Sequence, residues 1–83
     1  MSKLALESVN PNVWRILTDT GLHVGNLKPV GGFWKFKAIG YDIAGQVVPG
    51  GGPLTYKHNQ VFTTLDEAEL NRVLVLSSVP EAF

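Results

Sequence analysis

The segment PGGGPLTYKHN, Pro49 to Asn59, concentrates more potential chemistry than any other stretch of the chain. Gly50, Gly51 and Gly52 stand between two prolines, and Tyr56, Lys57, His58 and Asn59 follow closely. Glycine admits backbone conformations closed to other residues, so such a run lets a chain either turn or approach a ligand. Lysine and histidine supply donors, asparagine a donor and an acceptor, and tyrosine a ring to stack on. One reading is a loop that binds a small or anionic ligand. The other is a connector, with Asn59 as a turn former and Tyr56 packed beside a sheet. The run lacks the Lys-Ser/Thr of a phosphate-binding loop and the spaced glycines of a dinucleotide fold.

Arg15, Lys28, Lys35 and Lys37 form a second candidate set, whose chemistry would be contact with phosphates of a nucleic acid. The formal net charge is zero, but it is unevenly spread. Arg15 to Lys57 carries five bases against Asp19 and Asp42, whereas Asp66 onward carries four acids against Arg72. A neutral total weakens the electrostatic term that nucleic-acid binding draws on, and lysine on an exposed strand face also serves solubility and blocks edge pairing.

Other chemistry has little support. Cysteine is absent and only His23 and His58 could bind zinc, far short of a four-ligand site, so neither metal nor cofactor is expected. Asp19, Asp42, His58, Ser77 and Ser78 contain the types of a hydrolytic triad, but no nucleophile-elbow sequence accompanies them. Asp66, Glu67 and Glu69 are explained by the positive end of a helix. Enzymatic function is therefore not the expectation.

The elements that would position these residues read as α+β: a three- to four-stranded antiparallel meander with one C-terminal helix packed on one face. Residues 1–12 read as a flexible arm closed by Asn-Pro-Asn. Residues 13–48 supply the sheet. VWRILT (13–18) is a strand with Trp14, Ile16 and Thr18 on one face, followed by a glycine-containing turn at 19–21. In the second strand Val24 and Leu27 break strict alternation, and a bulge at or next to Gly25 returns both to one face. FWKFKAI (33–39) is the clearest strand: Trp34, Phe36 and Ala38 alternate with Phe33, Lys35 and Lys37. Gln46 to Val48 forms a short edge strand. Residues 49–61 are the Gly/Pro-rich loop.

The helix is expected over 64–76, opened by a capping box from Thr64 to Glu67 and carrying Leu70, Val73 and Leu74 on its apolar stripe. The alternative is that Arg72 to Leu76 leaves the helix as a strand. Residues 77–83 read as a tail. A sheet presenting basic residues and backed by one helix, with Phe62-Thr63-Thr64 to Glu67-Ala68 leading into it, resembles plant AP2-type and integrase amino-terminal DNA-binding domains in architecture. The resemblance implies element order alone and carries no site residues across; this chain has neither their net positive charge nor their arginine-rich strands.

With 83 residues the chain suits one small domain, for which dimerisation is a plausible supplement to a modest core. Phe33, Leu17 and Val13 share the face of the lysines, where a partner or the folded-back arm would cover them. No apolar run approaches a membrane span or a signal-peptide core, so a soluble cytoplasmic protein is expected. The expected function is a small binding or protein-interaction module, open to self-association as a homodimer, whose ligand is a protein or a small molecule; the alternative is a nucleic-acid binder using the basic sheet face.

Overall fold

A computed structural model describes residues 3–76. The expectation of an antiparallel sheet with one C-terminal helix holds, but the sheet is larger than three or four strands. It contains β1 (Leu4–Asn10), β2 (Val13–Thr18), β3 (His23–Val30), β4 (Phe33–Tyr41), β5 (Val47–Pro49) and β6 (Val61–Phe62). The first five lie in sequence order as an antiparallel meander, and β6 pairs with β4 beside that path. No helix among the described residues is long and apolar enough to cross a membrane.

The extra strand at the start comes from residues assigned to a flexible arm. Leu4 to Ser8 run in register with Thr18 to Trp14, and Leu4 is completely buried. The helix explains why this edge is held. Asn71 accepts the Leu4 N–H at 2.6 Å and donates to the Leu4 carbonyl at 2.9 Å. Glu67 accepts the Leu6 N–H at 3.0 Å. Two side chains thus stand in for a neighbouring strand and satisfy backbone groups that an edge leaves unpaired. The arm does not lie across Phe33, Leu17 and Val13; it extends the sheet beside β2.

The bulge in β3 is present. Ile16 pairs with Gly25 and Leu17 with His23, so Val24 is the extra residue. Val24 and Leu27 both reach the core. A side chain at Gly25 would collide with the Phe36 ring, which is why the bulge needs glycine. In β4, Phe36 and Ala38 are buried and Trp34 packs half-buried against them, while Lys35 and Lys37 look outward. Leu54, Phe62, Leu70 and Leu74 complete the same core.

The helix is shorter and capped differently than its sequence suggests. Helix α1 spans Glu67–Asn71, and Arg72–Leu76 continues it as a wider π-helical turn, so those residues do not form a strand. Asp66, in extended conformation, is the cap: its carboxylate accepts the Ala68 N–H at 3.0 Å. Thr64 lies ahead of that cap, and the Glu67 carboxylate, which would close its capping box, accepts from β1 instead. The tail assigned to 77–83 lies outside the described residues.

Candidate functional site

The outer edge of β4 is shared by several partners. Its first half pairs with β6 at Trp34 and Lys35, and its last residues, Ile39 to Tyr41, pair with β5. Between them the glycine loop takes over the ladder. Phe36 donates to the Gln60 carbonyl at 2.7 Å and accepts the Asn59 N–H at 2.8 Å. The Ala38 carbonyl accepts the Gly50 N–H at 2.8 Å. The Ala38 N–H donates to Nδ1 of His58 at 3.0 Å, a ring nitrogen in the place of a strand carbonyl. This bond fixes the tautomer: Nδ1 is the acceptor, so the proton of the neutral ring sits on Nε2.

The same loop explains its glycines. Gly50 and Gly52 have positive φ, and Gly52 lies directly on the backbone of Ile39 and Gly40, where a side chain on Gly52 or Gly40 would meet main-chain atoms. Asn59 also takes a left-handed conformation, φ 75°.

Folding the loop onto β4 creates an open depression of about 350 Å³ on the sheet face away from α1. Lys28, Lys37, Ile39, Val47, Pro49 and His58 line it, together with Asn26 and Gly50. The two candidate sets therefore meet. Register puts Asn26 opposite Lys37 and Lys28 opposite Lys35, and Lys37 Nζ donates to Asn59 Oδ1 at 2.6 Å across the boundary. Not every candidate takes part. Arg15 pairs with Glu7 at 3.1 Å on the β1 side. Lys35 faces the same way but lies outside the depression, as do Gly51 and Gly52. Tyr56, well exposed, and Lys57 sit on a 3-10 turn, Thr55–Lys57, also outside it.

One constellation escapes the sequence reading. Tyr41 Oη lies 2.9 Å from His23 Nδ1, and His23 Nε2 lies 2.8 Å from Asn26 Oδ1. An amide oxygen only accepts, so His23 Nε2 carries the proton and, in the neutral ring, Tyr41 donates to Nδ1. The relay runs from a neighbouring hollow of about 310 Å³, between Leu22, Tyr41, Val48 and Pro53, to the depression, with Ile39 in both walls. The signal was in the bulge: an extra residue at Val24 places His23 and Asn26 on one face, three residues apart.

A hollow of about 430 Å³ between β6 and α1 contains Asp66, Glu69 and Arg72. These charges have structural partners: Asp66 caps α1, and Arg72 grips Glu69 through two hydrogen bonds. Among the described residues no three His, Asp or Glu side chains gather as a metal site would require.

No protein-family model, curated protein or solved structure matches this chain. The functional reading starts from the site itself.

Proposed function

We propose that the protein is a small binding module that holds an anionic group in the depression between β3, β4 and β5. The observation that carries this is the convergence of Lys28, Lys37 and the His58 Nε2–H on one partly apolar hollow. Opposed lysines on adjacent strands repel each other, and among the described residues no carboxylate pairs with Lys28 or Lys35. An anion bound beside them relieves that repulsion. Small-molecule sites combine an apolar lining with a few convergent polar groups in this way.

The test is a two-dimensional NMR titration with acetate and inorganic phosphate, run in parallel with acetamide as an uncharged control. Binding should shift the amides of Ala38, Ile39 and Gly50 saturably with at least one anion and not with acetamide. The shifts should vanish in the Lys28→Ala, Lys37→Ala double variant. Absence of any anion-specific shift at these amides up to tens of millimolar would remove the reading.

A second reading, nucleic-acid binding, draws on Lys28 facing Lys35 with Phe33 half-exposed two residues along β4. Aromatic stacking beside a row of cations is how single strands are held without sequence preference. Arg15 is withdrawn from this surface by Glu7. With three lysines in contact, the salt slope for a single strand should be about −2. A flat response to salt, or no binding to single-stranded DNA or RNA at low salt, counts against it.

A further inference from the structure

We propose that the anion is a carboxylate carried on an apolar body, an aryl or branched-alkyl acid, and not a phosphate. This rests on the reading above and names the ligand class for the same site.

Donor supply separates the two anions. Phosphate sites cradle their ligand with successive free backbone N–H groups in a nest or at a helix start. Here the loop amides beside the depression are spent within the fold. Gly50 donates to Ala38 and Gly51 to the Val48 carbonyl at 3.1 Å. His58 donates its backbone N–H to Thr55 at 3.0 Å, and Asn59 donates to Phe36. No arginine lines the depression. What is offered comes from side chains: the Lys28 ammonium, the Lys37 ammonium with the N–H groups left beyond its bond to Asn59, and one N–H at His58 Nε2, on the edge of the ring against Gly50. Side-chain donors of this kind, set beside a hydrocarbon wall and without a backbone nest, suit the two oxygens of a carboxylate.

Asn26 adds direction. Its oxygen is occupied by His23, and His23 is held in turn by Tyr41. With its oxygen engaged by His23, Asn26 still has its NH₂ as a donor beside the depression. Tyr41 and His23 act as positioning residues that hold the Asn26 amide through its oxygen.

The rest of the wall is hydrocarbon. Ile39, Val47 and Pro49 line the side made by β4 and β5, and Val47 is 52% exposed. A ligand body laid on these residues removes apolar surface from water, a gain that a bare inorganic anion cannot realise.

The experiment titrates the whole chain with sodium benzoate, acetate, inorganic phosphate and benzamide, following amide and histidine ring shifts. Benzoate should bind with a Kd at least ~10-fold below those of acetate, phosphate and benzamide, since covering the ring and pairing the charge are each worth a factor of this order. Lys37→Met and Val47→Asp should each weaken benzoate by ~10-fold or more while amide dispersion stays native. Should acetate or phosphate bind at the same residues as tightly as benzoate, the ligand class is wrong and the anion site stands. If neither benzoate nor the other anions shift Ala38, Ile39 and Gly50, both fall.

Discussion

At Gly45 and Gly52 the same residue type answers two different demands, and substitution separates them. Both have positive φ, but space is open around Gly45, whereas Gly52 presses on the main chain of β4. Gly45→Ala therefore carries only the left-handed penalty, about 1–2 kcal/mol. Gly52→Ala adds a backbone collision of the kind that costs about 1–3 kcal/mol more. Urea denaturation of the two variants should show the midpoint of Gly52→Ala clearly lower; equal midpoints would mean that the loop does not sit on Gly40. The candidate site residues were half legible at this scale. Lys37 stood out by alternation, Lys28 as a base on the bulged strand, and His58 and Gly50 by composition. Nothing local joined them, because the link is a ladder bond between Ala38 and His58, 20 residues apart. Alternation assigns a side chain to a face; it does not say which loop will fold onto that face.

The elements differ in how far their sequence determines them. FWKFKAI is legible because one strand with both faces defined needs no distant information. The bulge is legible because glycine and a broken alternation coincide. Strand β1 is not, since its outer edge is satisfied by Asn71, 67 positions away, and LALESVN alone reads equally as an arm. The helix cap also differs from the expected one, with Glu67 accepting from Leu6 across a long-range contact. Asp66→Ala should accordingly cost about 1 kcal/mol, while Thr64→Ala should stay within about 0.5 kcal/mol. Thermal melts that rank Thr64 above Asp66 would restore the capping box. One pair on the helix also titrates visibly. Hydrogen bonds from Arg72, aided by its charge, hold the Glu69 carboxyl below the ordinary glutamate range. Its contribution is thus complete above that range and is lost as pH falls through the lowered midpoint. Carboxyl NMR should place the Glu69 midpoint below that of an ordinary exposed glutamate, and Arg72→Met should return it to the usual range.

For the molecule as a whole, the decisive question is whether its first ten residues belong to the folded unit. An 83-residue chain has a total stability of about 4–12 kcal/mol on the usual per-residue range. Against that margin Leu4 is a large item: it is fully buried in a cluster with Ile16, Phe36, Leu70 and Leu74. Truncating a buried leucine to alanine costs about 2–5 kcal/mol, a sizeable share of the whole. The neighbouring Ala5 is exposed on the opposite face. Ala5→Ser should change stability by less than about 0.5 kcal/mol. The strand also shields the edge of β2, whose backbone would otherwise be open to pairing with another chain. Removing residues 1–10 should therefore lower the melting temperature sharply or unfold the domain, and any folded remainder should self-associate in light scattering. Were these residues a loose arm, Leu4→Ala would melt with the parent protein and the truncated chain would stay monomeric, as stable as before.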